Sequence, residues 1–371
     1  MQLGLQEYAF LIITILFGIL LGLFVLQTIK RHRSARALVI SLFFGFLACI
    51  FAILSSGHII PLTTFGKSFF QALQLNTFGL QFFFFFIFLE RLRSKDIHIG
   101  RLTLVVSLLL LQTFSLWMRI YFIDIEEIHP VLWFLSDMGY TILGMLVYIG
   151  FSVPIYLKTY KYTHERKPLF IMLALILIGV GFIFSFFNDL LDFLAINIEW
   201  LDTTAAYTLP LQAIGLFIFT GIYLSDIDYL YRLPHDVFLL MVLTKAGIPL
   251  HTVKLKTRRK VEIEGDLLSG LLSAINNVFE EIFKSKAVIR NISSKEIHLM
   301  MEPGEHIITV TITDKVSFFL SKALKRYTKE FETMFAKSIK AQNQDIATYY
   351  EAINLVKPIF PFFIIDKVIK V

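Results

Sequence analysis

Apolar residues over the first 230 positions come as continuous runs rather than stripes. Seven stretches, approximately 8–29, 37–60, 69–89, 102–123, 131–157, 169–194 and 207–230, are nearly free of charge. At 1.5 Å per residue each can reach across a hydrocarbon core of roughly 30 Å, so seven transmembrane helices are predicted. Beyond 231 the periods become those of a soluble domain. "VFLLMVLT" (237–244) reads as a central strand and "PLHTVKLK" as its imperfectly alternating partner. "KAG" is the turn, with Gly247 supplying a positive φ and Pro249 opening the second strand. "LLSGLLSAINNVFEEIF" spaces Leu268, Leu271, Leu272, Ile275, Val278, Phe279 and Ile282 as an amphipathic helix. Strands are expected near 286–293, 296–302 and 306–313, with "EPGE" as the turn between the last two and Ile308, Val310 and Ile312 on one face. A second amphipathic helix carries Leu320, Leu324, Tyr327, Phe331, Met334 and Phe335, and a third, near 345–357, is expected to end at Pro358. The order β-β-α-β-β-β-α-α, with short connections, predicts a five-stranded antiparallel sheet with helices. The tail "VKPIFPFFIID" is unusually apolar; covering a sheet edge, returning to the membrane and entering a partner interface are all open to it.

Composition agrees with a membrane protein: 371 residues, 56% hydrophobic, with 39 Phe and a mean hydropathy of +0.69. The leader "MQLGLQE" holds Glu7 and no Lys or Arg, so the first run reads as a retained span rather than a cleaved signal peptide. Cys49 is the sole cysteine, which excludes an intrachain disulfide. Loop charge then orients the chain. "KRHRSAR", "ERLRSKDIHIGR" and "KTYKYTHERK" each carry four Lys or Arg, whereas the intervening loops hold Asp124, Glu126, Glu127, Glu199 and Asp202, with Lys67 the only basic residue among them. Basic loops stay in the cytoplasm, so the expectation is a multi-pass protein of the cell membrane with its N-terminus extracellular. Residues 1–230 hold 14 Lys+Arg against 14 Asp+Glu, leaving 21 against 15 for 231–371, so the second half carries all of the net +6. The expected domains are therefore an all-α transmembrane bundle, 1–230, and a cytoplasmic α+β domain, 231–371, joined by "SDIDYLYRLPHD" with its helix-stopping Pro234.

Ionisable groups inside spans are costly and point to function. Arg119, Asp137 and Asp189 each lie about 6–9 Å from the outer end of a predicted helix, by the helical rise. His58, Gln71, Gln74, Asn76, Asn188, Asp192 and Gln212 fall at the same level. This layer has two readings: a site for an unidentified small-molecule ligand, drawn above all from His58, Gln71, Gln74, Arg119, Asp137, Asn188, Asp189 and Gln212, or a structural lock in which Arg119 pairs with Asp137 or Asp189. In the soluble half, "KLKTRRK" (Lys254, Lys256, Arg258, Arg259, Lys260) is a solvated loop or a site for anionic lipid headgroups. No aromatic or groove-reading motif accompanies it, so nucleic acid is not an expected partner.

Two resemblances sharpen these readings. "KRHRSARALVISLFFGFLACIFAIL" and "QALQLNTFGLQFFFFFIFLERLRS" resemble the seven-helix sensor regions that precede prokaryotic histidine kinases. "LTKAGIPLHTVKL", "LLSGLLSAINNVFEEIF" and "ITDKVSFFLSKALKRYTKEFETMF" resemble the longin/roadblock superfamily over 236–357. The second resemblance implies a five-stranded sheet with its helices on one face, and a non-catalytic module that binds small GTPases or other longin/roadblock subunits, homodimers included. No phosphate-binding Gly-rich loop, H-E-x-x-H or G-x-S-x-G appears, no cofactor is implied, and no enzyme activity is expected. The sequence thus predicts a membrane receptor coupling an extracellular-side signal to a small GTPase. The alternative is a constitutive anchor or scaffold recruiting the same partners without a ligand. A transporter fits less well, since no pair of Gly/Pro-broken helices sits at matching places in two halves.

Overall fold

The computed structural model describes residues 5–31, 36–56, 62–122, 129–163, 166–196, 199–225, 237–255, 270, 291–294, 297–360 and 365–368. By contact, Met1–Glu90 with Ile97–Ile227 form one unit, and Arg91–Asp96 with Asp228–Val371 another.

The first unit is helical: α1 (Leu5–Arg31), α2 (Arg36–Ser55), α3 (Thr64–Arg93), α4 (Ile99–Tyr121), α5 (His129–Met145), a π-helical turn (Leu146–Phe151) running into α6 (Ser152–Thr163), α7 (Arg166–Phe193) and α8 (Glu199–Ser225). Five of these rods are long and apolar enough to cross a membrane: Arg36–Ser55, Thr64–Arg93, Ile99–Tyr121, Pro130–Lys161 and Arg166–Phe193. By the same measure Phe10–Leu26 and Thr208–Ile222, within α1 and α8, are apolar but short.

Lipid tails are as apolar as leucine, so what holds such helices together is close packing and polar contacts. Both are present. A side-chain carbon at Gly215 of α8 would fall 2.6 Å from the Ala174 carbonyl oxygen of α7, so only glycine admits that approach. Phe82 of α3 is the hub of an aromatic cluster, with ring centroids 5.4 Å from Tyr140, 5.8 Å from Tyr148 and 5.3 Å from Phe182. The Gln81 amide donates to Ser41 Oγ (3.2 Å) and Tyr148 Oη (2.9 Å), and Ser41 Oγ donates back to the Gln81 carbonyl (2.9 Å), tying α3 to α2 and to the π turn. At the basic end of α3, Glu90 accepts from the Arg101 guanidinium (3.0 Å) and from the His98 backbone N–H (3.3 Å), which fixes the turn into α4.

The second unit is built on a six-stranded antiparallel sheet in the order β3-β4-β5-β1-β2-β6. Its strands are β1 (Val237–Thr244), β2 (Pro249–Leu255), β3 (Asn291–Ser293), β4 (His298–Pro303), β5 (Ile307–Thr313) and β6 (Ile365–Val368). The β1–β2 turn is the expected one. Gly247 has φ 84°, its N–H donates to the Thr244 carbonyl (3.0 Å), and Thr244 N–H donates to the Ile248 carbonyl (2.8 Å). Val242 pairs with His251 while Leu243 pairs with Pro249, so Leu250 is an extra residue. That bulge is why "PLHTVKLK" alternates imperfectly. "EPGE" likewise turns β4 into β5, with Gly304 N–H bonded to the Ile307 carbonyl (2.9 Å).

β1 is buried almost throughout because both of its faces are covered. Leu239, Met241, Leu243, Ile308, Val310, Ile312 and Met301 share one face in a single apolar cluster. The other face meets α9 (Phe318–Met334), where Thr328 Oγ1 lies 2.9 Å from Thr309 Oγ1 and the Phe331 ring 6.4 Å from that of His251. Ser317 caps α9 by accepting from Leu320 N–H (3.2 Å). After the short α10 (Ala336–Lys340), a 3₁₀ turn (Ile346–Ala352) leads into α11 (Ile353–Ile359). Tyr349 and Phe360 close an aromatic cluster with Tyr327, Phe331 and Phe335, and burying each such ring contributes about 1.5–3 kcal/mol.

Three expectations are corrected. Met334, predicted on the apolar face of α9, is 43% exposed, and Ala323 and Thr328 are buried there instead. Pro358 does not end the last helix at once: it removes one i→i−4 hydrogen bond, and the helix runs a single residue further, to Ile359. The sheet has a sixth strand: β6 comes from the apolar tail and pairs along β2, Val253 with Val368 and Lys254 with Lys367, so part of the tail covers a sheet edge. The predicted helix over "LLSGLLSAINNVFEEIF" and the joint "DIDYLYRLPHD" lie outside the described residues, Gly270 apart.

Candidate functional site

The polar side chains of the first unit concentrate where α4 and α7 end and α5 begins. Arg119 stands two residues before the C-terminus of α4, is 2% exposed, and makes no hydrogen bond through either terminal nitrogen. Its guanidinium lies over the Trp133 ring of α5, 3.8 Å from the centroid. Stacking of this kind stabilises a desolvated cation by about 2 kcal/mol but leaves the in-plane N–H groups unused. Asp137, one turn beyond Trp133 on the same face of α5, is 8% exposed, and it is close enough to Arg119 and to Asp189 of α7 to interact with both through charge. Among the described residues no ion pair joins Arg119 to either acid, and neither carboxylate has a hydrogen-bond partner. The lock expected from the sequence is therefore not made by direct contact. What forms is a cluster of one guanidinium and two carboxyl groups with no direct ion pair among them.

A cavity of about 60 Å³ lies among α1, α3, α5, α7 and α8, and none of Arg119, Asp137 and Asp189 lines it. Its wall is aromatic (Phe78, Phe82, Phe182, Tyr140, Tyr148), with three amides, Gln74, Gln81 and Gln212, as the other polar groups. One water needs roughly 10–15 Å³, so more than one small group fits. Tyr148 enters this wall from the π turn, a local geometry that recurs at functional sites because it re-aims a side chain within a helix. Ser152 Oγ donates to the Tyr148 carbonyl and satisfies an acceptor that the turn disturbs.

The remaining sequence candidates separate. Gln74 and Gln212 line the cavity. Gln71 is half-buried on α3 one turn before Leu75, and Asn188 bonds the exposed Asp192 (3.4 Å) at the edge of the charged cluster. Asn76 is used structurally, accepting from Thr113 Oγ1 (2.9 Å). His58 lies outside the described residues, as do Lys256, Arg258, Arg259 and Lys260. Lys254 is half-buried within β2, paired across the sheet with Leu239. Gln81 and Tyr148 are functional candidates that sequence reasoning missed. The signal for Gln81 was available, an amide alone in "GLQFFFFFIF"; a tyrosine among apolar residues gives none.

The second unit has its own pocket, about 310 Å³, between the β1–β2 turn and the loop Gln342–Gln344, with Lys245 and His306 at its rim and Leu250 and Tyr349 in its floor. Tyr349 Oη donates to the Asn343 carbonyl (2.7 Å), and burial pushes its phenol pKa up. Burial also pushes the Tyr327 phenol up, and it holds the His251 imidazole down at about 4. His251 is 2% exposed and its Nε2 has no hydrogen-bond partner. Among the described residues no group of three or more His, Cys, Asp or Glu is arranged to hold a metal ion. Comparisons with protein-family models, with curated proteins and with solved structures return no match.

Proposed function

We propose that the chain is a multi-pass receptor. In this reading seven helices span the cell membrane with the N-terminus outside, the charged cluster and the cavity receive a small molecule, and a longin/roadblock-like domain on the cytoplasmic side docks a small GTPase. The observation that carries the input half is the cluster of Arg119, Asp137 and Asp189, with no direct ion pair among them, together with an amide- and phenol-lined cavity. Unpaired charge in a bundle of apolar helices costs several kcal/mol, which a purely structural anchor has no reason to retain. The output half is supported by the strand order, in which a central β1 lies between β5 and β2, and by the long amphipathic α9 packed on the sheet, together with the sequence resemblance over 236–357. Ligand-induced repacking of α5 and α7 would be passed on through 225–236.

The test is capture by the full chain in lipid nanodiscs of small GTPases from the same organism, each loaded with GDP or with a non-hydrolysable GTP analogue. One GTPase should be retained in one nucleotide state. Retention of none in either state removes the docking half of the proposal. Retention that no small molecule alters favours the constitutive scaffold.

A further inference from the structure

We infer that the charged cluster and the cavity form a single site for a small zwitterion, an aliphatic α-amino acid, with its carboxylate on Arg119, its ammonium between Asp137 and Asp189, and its side chain in the cavity. This rests on the receptor reading and names the class of its ligand. The Arg119 guanidinium is occupied only on its face, by Trp133. Its two terminal nitrogens point their N–H groups in the plane of the group, are buried, and are unpartnered. That leaves the fork that binds a carboxylate through two parallel hydrogen bonds. Asp137 and Asp189 offer only acceptors, and an ammonium offers three donors.

Charge balance narrows the class. A lone anion seated on Arg119 would face Asp137, which has Asp189 and the exposed Asp192 beyond it, and a lone cation between the acids would have Arg119 beside Asp137. A molecule bearing both charges a few bonds apart meets all three groups with the right sign. The geometry of the helices supplies the rest. Tyr140, in the cavity wall, is three residues from Asp137 on α5, and Phe182 is seven from Asp189 on α7, about 4.5 and 10.5 Å along the axes. Both helices thus run from the charged groups to the cavity wall, which none of the three groups itself lines. That space carries no charge, and its volume of about 60 Å³ is well below the roughly 150 Å³ that admits benzene. It suits a branched aliphatic group better than an aromatic ring.

The experiment measures binding to the full chain in nanodiscs, by calorimetry and by the shift in thermal unfolding. The probes are leucine, 3-methylbutylamine (leucine without its carboxylate) and 4-methylpentanoate (leucine without its ammonium). Leucine should bind and raise the unfolding temperature, with both analogues at least about tenfold weaker, since each leaves a buried charge unmet. Arg119→Gln should erase the preference for leucine over the amine, and Asp137→Asn the preference over the acid. The analogue series on the unaltered protein stands even where a variant does not fold. An analogue binding as well as leucine overturns the zwitterion assignment while leaving a ligand-operated receptor intact. No binding of leucine, valine, isoleucine or alanine into the millimolar range overturns it as well. Failure of the receptor reading is read separately, in the GTPase capture.

Discussion

His251 makes the second unit's stability depend on pH in a way that can be worked out in advance. The imidazole sits in β2 under the Phe331 ring, 2% exposed, with Nε2 unpartnered. Burial therefore disfavours the charged form and holds its pKa at about 4, against 6.5 for the free side chain. Between those values the unfolded chain binds a proton that the folded domain does not, so stability rises with pH across this window. It is fully present above about 6.5 and is lost as pH falls towards 4. Below 4 both states are protonated and the dependence ends. At about 1.4 kcal/mol per pH unit, the fall from 6.5 to about 4 amounts to about 3 kcal/mol, a large share of a domain's usual 5–15 kcal/mol. The perturbation is His251→Leu, which removes the titrating group and its orphaned nitrogen together. The assay is hydrogen exchange of β1, β2 and β5 amides in the full chain from pH 7 to 4, read by mass spectrometry and corrected for the intrinsic pH dependence of exchange. The wild-type amides should lose about 3 kcal/mol of protection over the window, and the variant should lose little of it. Parallel losses in the two proteins, or a His251 resonance titrating near 6.5, would refute the reasoning.

Four further outcomes are expected. Gly215→Val should lower the detergent thermal stability of the helical unit by about 1–3 kcal/mol, because the new carbons meet the Ala174 carbonyl; Gly221→Ala, with nothing within 4 Å, should not. Tyr148→Phe and Gln81→Leu should each cost about 0.6–2 kcal/mol and be strongly non-additive in a double-mutant cycle, as partners in one buried hydrogen bond. Glu332→Ala should cost about 1–2 kcal/mol in urea titrations followed at the β4–β5 hairpin, since Glu332 Oε1 accepts from both His306 N–H (2.7 Å) and Ile307 N–H (3.3 Å). Removing 361–371 should uncover the β2 edge and shift the protein towards higher oligomers on size-exclusion chromatography relative to the full chain.

What the sequence made legible was whatever a local rule determines. Apolar runs predicted the helices, and Gly247 and "EPGE" placed two hairpin turns to the residue, because positive φ and the Pro-Gly pair restrict the backbone there. Features that depend on the partner surface were not legible. Met334 keeps helical spacing with Phe331 yet is exposed, since the stripe that α9 buries drifts towards Ala323 and Thr328. The tail's choice of the β2 edge needed knowledge of which edge was open, and period alone cannot supply that. In the helical unit, the places of Arg119, Asp137 and Asp189 along their helices could be counted in the chain, but their separation could not. Counting also could not reveal that Trp133, rather than an acid, meets the guanidinium.

The π-helical turn at Leu146–Phe151 sets a rotational phase. It accommodates one residue more than α geometry would over the same length, and one residue of an α-helix is worth about 100° of rotation. Deleting a single residue between 146 and 151 would let the rod run as uninterrupted α-helix with no loss of hydrophobic length. Everything beyond it, including the buried Ile155, Tyr156 and Thr159, would then turn by about 100° towards lipid. A shortening invisible to any hydropathy plot would thus swing the buried side of the last three turns more than a quarter turn from its present direction.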